Sequence, residues 1–214
     1  MKTPFFYLKS VHIALLFIIL VSGCANQTKV APPPVISQDW AKHQTQVMAV
    51  THWQALGKLG AKVPNDSLSA TLNWQHHSKS FQIDLSGPLG AGRITIAGSP
   101  GQVTFNEGGN PPQTAKTAEE LIFKNTGWRI PVTQLAYWVR GLPEPTIKIT
   151  RFQTNSLGLI SELEQMGWKV SYAEYANAQN AKGELIPMPS RIIAEFNEIR
   201  LTVVIREWKL DTPE

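Results

Sequence analysis

The side chains able to make or break bonds are few in this chain and badly spaced for it. The five histidines are His12, His43, His52 and the adjacent pair His76-His77. None stands in the His-Glu-x-x-His frame that holds zinc, and no phosphate loop is present. Ser99 follows Gly98, but position 97 is Ala, so the glycine that a nucleophile elbow needs two residues before its serine is missing. No Ser-x-x-Lys occurs either. The carboxylates Asp84, Glu162, Glu164 and Glu195 fall on the polar positions of alternating segments, where a solvated face is expected. The residue best placed for covalent chemistry is Cys24, the only cysteine of the chain, which therefore has no intrachain disulfide partner. These residues argue against an enzyme, and they call for neither cofactor nor metal.

Cys24 stands at the end of a leader. Lys2 and Lys9 form a basic start, the apolar run from Ile13 to Val21 follows, and small residues close it at Ser22-Gly23. This is the build of a secretory signal, and the apolar run is well short of the roughly 20 residues of a membrane-spanning helix. Val21-Ser22-Gly23-Cys24 resembles the bacterial lipobox, in which the thiol is diacylglycerated and cleavage leaves the cysteine as the acylated N-terminus. Residues 1–23 are thus expected to be a cleaved lipoprotein signal peptide. Residues 24–36 follow as acylated N-terminus and tether, semi-extended around Pro32-Pro33-Pro34. Ala25 and Asn26 follow the cysteine with no Asp directly after it. In Gram-negative lipoproteins such an Asp favours the inner membrane, so the resemblance points to the outer membrane, with the domain facing the periplasm.

The rest of the chain, 37–214, has to position whatever else the protein does. Of all 214 residues, 43% are apolar and 17% charged, which suits one folded domain rather than a disordered chain. The formal charge of +4 becomes +2 without the leader, which contributes Lys2, Lys9 and no acid; such a weak excess points to no nucleic-acid partner. Strict alternation dominates: Leu68, Ala70, Leu72 and Trp74; Phe81, Ile83 and Leu85; Ile94 and Ile96; Val103 and Phe105; Ile147 and Ile149; Trp168, Val170 and Tyr172; Ile192, Ala194 and Phe196; Ile199, Leu201, Val203 and Ile205. Period two puts one face inward and the other in water. Connections as short as His77-Ser78-Lys79, Ser99-Pro100-Gly101 and Asn197-Glu198 make neighbours antiparallel. Gly57 and Gly60 suggest a bulge or sharp coil. Ten or eleven strands in one sheet curl or close, so a barrel or half-barrel is expected. Helices are expected at Ser37–Val50, with Ser37 as cap; after the capping box Thr117-Ala118-Glu119-Glu120; and from Pro131, with Val132, Leu135, Trp138, Val139 and Leu142 on one face. The last two fall between two blocks of strands, where the open mouth of a barrel would lie.

Two features remain without a structural explanation. The seven tryptophans are Trp40, Trp53, Trp74, Trp128, Trp138, Trp168 and Trp208. They are either ordinary core or the lining of a cavity for an apolar ligand. Trp74 and Trp168 share the inward parity of their strands, whereas Trp208 breaks the parity of the last one and either faces outward or follows a bulge. The other feature is the turn Ser86-Gly87-Pro88-Leu89-Gly90-Ala91-Gly92, whose only large side chain is Leu89. Leu89 either folds back on the sheet or touches lipid, and a gain of about 1.5–3 kcal/mol suits a transient touch better than an anchor.

Cys24, Gln38-Asp39-Trp40, Trp74, Pro88-Leu89-Gly90, Ala118-Glu119-Glu120, Trp138 with Gly141-Leu142-Pro143, Trp168-Lys169-Val170 and Trp208, in this order, resemble the LolB family of outer-membrane lipoprotein receptors of Gram-negative bacteria. The chain departs from that pattern at Gly87 and at Arg140, where a polar and an apolar residue respectively would be expected. The resemblance implies a mainly β fold with helices, an incomplete, half-open antiparallel β-barrel of about eleven strands with a helical lid over an apolar cavity. It implies a monomeric receptor that accepts acylated lipoproteins from the LolA-type periplasmic carrier and inserts them into the outer membrane. Pro88, Leu89 and Gly90 would form the membrane-insertion loop. Leu72, Trp74, Phe81, Ile83, Ile94, Ile96, Leu135, Trp138 and Trp168 would line the acyl-chain cavity and its lid. The rival readings are an outer-membrane scaffold or assembly subunit and a carrier of another apolar lipid.

Overall fold

The computed structural model describes residues 39–87 and 92–210. The expected leader and tether, Cys24, and the tip Pro88, Leu89 and Gly90 lie outside the described residues. Helix α1 (Trp40–Ala49) comes first, then β1 (His52–Val63), β2 (Asp66–His77), β3 (Ser80–Ser86), β4 (Ile94–Ser99), β5 (Gln102–Glu107) and β6 (Gln113–Ala115). Two helices follow, α2 (Ala118–Thr126) and α3 (Val132–Trp138), and the chain ends in β7 (Ile149–Thr154), β8 (Ile160–Gln165), β9 (Trp168–Gln179), β10 (Leu185–Phe196) and β11 (Ile199–Leu210).

The strands form one eleven-stranded sheet in the order β6-β5-β4-β3-β2-β1-β11-β10-β9-β8-β7. Every pairing is antiparallel. β6 and β7 are the two edges, so the sheet is not closed. Inward residues of β2, β5, β9 and β11 nevertheless share one core with Leu121 of α2 and Leu135 of α3. The sheet therefore curls around that core, and the helices are packed into it. Of the barrel and half-barrel that the alternation left open, this is the half-open one that the family resemblance implied.

Three local expectations need correction. The N-cap of α1 is Asp39, whose carboxylate accepts the Lys42 N–H at 3.1 Å, rather than Ser37. An Asp at this position also complements the positive end of the helix. Ile147 precedes β7 and Ile149 is exposed, so neither is an inward core residue. β7 is an edge strand with two register shifts against β8, and shifts reset the parity on which alternation relies. Its packing residue is Phe152, whose ring lies 5.0 Å from that of Trp40. Finally, Asp84 is on the outward face but covered there. Burial alone would raise its pKa, but hydrogen bonds from Gln82, Thr95 and Arg93 hold the carboxyl below its usual range.

The capping box is present in a shifted form. Thr117 Oγ1 accepts the Glu120 N–H, while the Glu120 carboxylate accepts the N–H of Lys116, one residue before the cap. Gly127, with φ 74°, ends α2 in the left-handed region.

The bulge suggested by Gly57 lies where β1 meets β11: Leu56 pairs with Glu207 and Gly57 with Ile205, leaving Arg206 unpaired. The extra residue restores Trp208 to the inward face, opposite Ala55, and its ring meets that of Trp53 at 5.6 Å. A Cβ on Gly57 would stand 2.0 Å from the Val204 carbonyl oxygen, whereas one on Gly60 would meet nothing nearer than 3.9 Å. Gly57→Ala is expected to cost about 2 kcal/mol or more of unfolding free energy, and Gly60→Ala to stay within about 1 kcal/mol of the parent. Urea unfolding followed by tryptophan fluorescence measures both; equal midpoints for the two variants would contradict the close approach of β11.

Candidate functional site

α2 and α3 lie against the sheet with their apolar residues turned inward, but they do not fill the space beneath them. A cavity of about 120 Å³ remains, apolar apart from Thr126. Its floor is built from β1 to β5 and β11, through residues such as Leu72, Ile96 and Leu201. Its roof is Ile122 of α2, Trp128 and Ile130 of the connection, and Val132 and Leu135 of α3. A second cavity of about 530 Å³ opens beside it, between the end of α1, the β2–β3 and β4–β5 turns, the start of α2, and α3. Trp74 and Val132 line both, so these two side chains form the boundary that the cavities share.

The structure gathers most of the expected lining residues here. Leu72, Trp74, Ile83, Ile94, Ile96 and Leu135 line the smaller cavity, and Phe81 lines the larger one with Trp74. Trp138 and Trp168 line neither of the two. Trp138 has no exposed surface; its ring lies 6.2 Å from Trp168, which stacks in turn on Phe196 at 5.5 Å. Inward parity selects a face, but on the β8–β10 side that face meets neighbouring side chains rather than a void.

Gln165 fixes the C-terminal end of α3 from this packed side. It has no exposed surface, yet all its amide capacity is used. Its Oε1 accepts the Trp138 indole N–H and the Glu144 backbone N–H, both at 2.9 Å. Its Nε2 donates to the Glu144 carbonyl at 2.9 Å and the Ile147 carbonyl at 2.8 Å. A polar residue at the inward parity of Leu163 was the available sequence signal for this role. Opposite, α1 is tied to β10 by His43, whose Nε2–H donates to the Pro187 carbonyl at 2.7 Å; burial lowers the pKa of this ring.

Arg140 is the least expected member of the site. It follows α3 directly and is only 8% exposed. Its Nε donates to the Ala136 carbonyl at 3.0 Å and its Nη1 to the Val50 carbonyl at 3.3 Å. The guanidinium lies over the rings of Tyr137 and Trp53. The hydrophobic pattern of the helix gave no warning that this position is buried, because Arg normally marks its solvent face. Among the described residues no group of acids, histidines or cysteines could hold a metal ion, and no helix is long and apolar enough to cross a membrane.

Replacing Gln165 by Leu keeps the volume but strands two N–H groups and two carbonyls, each at a cost of about 1–3 kcal/mol when buried. Gln165→Leu is therefore expected to lower the unfolding free energy by about 3 kcal/mol or more, while Gln153→Leu on the exposed edge stays within about 0.5 kcal/mol. Denaturant titration of the two variants checks this.

Residues 51–208 match the family model described as outer membrane lipoprotein LolB. The chain is 47% identical over 198 residues to an outer-membrane lipoprotein LolB of Cellvibrio japonicus, covering 92% of this chain and 95% of the relative. It is 34% identical over 203 residues to one of Chromohalobacter salexigens, covering 94% and 90%. Among solved structures, a DUF1329 family protein of Desulfovibrio piger superposes with a TM-score of 0.51 at 7% identity, over 83% of this chain and 95% of that one. At that identity the likeness concerns the fold alone.

Proposed function

This chain belongs to the LolB family of outer-membrane lipoproteins, and from that premise we propose that it receives acylated lipoproteins from a LolA-type periplasmic carrier and inserts them into the outer membrane. The observation that carries this reading is the unfilled apolar cavity under α2 and α3. A monomeric protein has no structural use for a void that its own side chains leave open. It has a use for a space that shields acyl chains.

The physical task is to move several acyl chains without exposing them. Each methylene left in water costs about 0.8 kcal/mol, so an acylated cysteine free in the periplasm is tens of kcal/mol above its membrane-bound state. Passing the chains from one apolar cavity to another avoids that state. Direction needs only a gradient of affinity, with the acceptor above the carrier and the bilayer above both. No covalent step, nucleotide or cofactor enters.

The lid has to move for this to work. At about 120 Å³ the apolar cavity is below the roughly 300–1,000 Å³ of pockets that take even one drug-sized ligand. Loading therefore requires α2, with Ile122 and the Trp128–Ile130 connection, to lift away from β2 to β5. Cys24 would anchor the domain through its acyl chains, with residues 25–36 as spacer, and Leu89 would touch the bilayer as cargo leaves.

The test uses the full lipidated chain in liposomes, incubated with a LolA-type carrier holding a labelled acylated lipoprotein. The label should cross-link to this protein and then appear in the bilayer, and non-acylated cargo should do neither. Leu135→Glu puts a carboxylate in the dry cavity, where desolvation costs several kcal/mol, and should reduce acceptance about ten-fold or more. Normal acceptance by this variant would remove the cavity from the mechanism. Leu89→Glu should keep the cross-link and lose delivery; normal delivery would remove Leu89 from the insertion step.

A further inference from the structure

The larger cavity has a wall of a different kind from the apolar slot. Lys79, Lys116, Arg140 and His76 line it against a single acid, Glu119. Glu119 is tied within that wall to α3, its Oε1 accepting the Thr133 N–H at 2.8 Å, and it makes no ion pair with Arg140. Arg140 is more than nine-tenths buried and forms no ion pair among the described residues. Among the described residues its hydrogen bonds go to two neutral carbonyls, from Nε and Nη1, and none is made by Nη2. Close by, the indole N–H groups of Trp53 and Trp74 are buried without a hydrogen-bond partner, and Trp74 is part of the cavity wall. A buried cation without a counter-ion is costly, and so is each stranded donor. Burial already pushes the guanidinium down to about 10, and it lowers the neighbouring His76, whose charged form the Arg140 cation also disfavours.

We infer that the larger cavity binds the anionic head of a single-chain amphiphile, a carboxylate or phosphate on an alkyl chain, with Arg140 as its counter-ion and the chain running past Trp74 and Val132 into the apolar slot. Anionic oxygens would accept charge-assisted hydrogen bonds from the guanidinium, and the tail would enter the apolar slot, which has to widen as α2 lifts to take its full length. The volume of about 530 Å³ is of the size that takes a small ligand. This site does not depend on the receptor reading. An amphiphile held there would extend into the slot proposed for acyl cargo.

Native mass spectrometry of the full lipidated protein, released from a neutral detergent, tests this with palmitate, methyl palmitate and palmitoyl lysophosphatidate as probes. The two anions should give adducts about ten-fold or more above the methyl ester at equal concentration. Arg140→Gln should erase that preference and Arg140→Lys should keep most of it. A preference confined to palmitate identifies free fatty acid as the source, and one confined to lysophosphatidate identifies a lipid phosphate; either supports the site. Equal adducts from palmitate, lysophosphatidate and methyl palmitate in the parent protein would overturn it, whatever the variants do. So would an anion preference that survives in folded Arg140→Gln.

Discussion

The pairing of β1 with β11 joins two meanders that could not persist apart. β1 to β6 runs outward to one edge, and β7 to β11 runs back from the other, so only this contact makes them one sheet. Each half would otherwise expose an apolar face and a long central edge, β1 or β11, both twelve residues long. The contact is close because Gly57 has no side chain to hold Val204 away, and the bulge that follows turns Trp208 inward. Trp208 then donates its indole N–H to the Pro189 carbonyl at 2.8 Å, as His43 does to Pro187. Those two side chains satisfy carbonyls of the half of β10 that β11 does not reach, since the β10–β11 ladder covers only Arg191–Phe196. One register choice at the centre of the sheet thus propagates to the docking of α1.

The same asymmetry decides which part of the lid can move. The C-terminal end of α3 is held by Gln165 through four hydrogen bonds from a fully buried residue, and such bonds are costly to break because no water replaces them. α2 is held differently. Its polar ties to the sheet, such as Gln113 to Asn125, are exposed, where water competes and a hydrogen bond is worth little. Leu121 packs in the shared core, but Ile122, the next residue, borders the apolar cavity instead of a filled core. If the lid opens as proposed, opening at α2 with α3 as the fixed end would accordingly be the cheaper motion.

Fold class was legible in the sequence because alternation is a direct record of which side chains face inward. It held for β2 to β5, where pairing is regular. It held also for the residues it named in β9 to β11, which lie beyond the two shifts between β9 and β10 and before the bulge of β11 at Arg206. It misled at Ile147 and Ile149, where an edge strand with two shifts has no fixed parity. The candidate site was legible in part for a related reason. Parity identified Leu72, Ile83 and Ile96 as inward, but it carries no information on whether an inward side chain meets a neighbour or a gap. Trp74 and Trp168 are indistinguishable by that criterion, and only the first lines a cavity. Parity marks Gln165 as a polar residue turned inward, but its partners, and the burial of Arg140 against the Val50 carbonyl and the Trp53 ring, are legible only in three dimensions.

The unfilled slot is itself a cost that a purely structural core would have removed. At about 24 cal/mol per Å³, a void of about 120 Å³ forgoes about 3 kcal/mol of packing. That is a sizeable share of the 5–15 kcal/mol by which domains are typically stable. Filling it would need only a larger residue at Ala61 or a leucine for Val203, both of which line it. The burial of an uncompensated Arg140 beside it adds to the same cost. Under the proposals made above, both would be offset when an acylated ligand enters, its chain restoring the missing contacts and its polar head meeting the stranded donors. The empty state would then be the strained one relative to the loaded one. Under the proposed function, affinity for the ligand would be stored in the fold itself, with no need for new contacts at the protein surface.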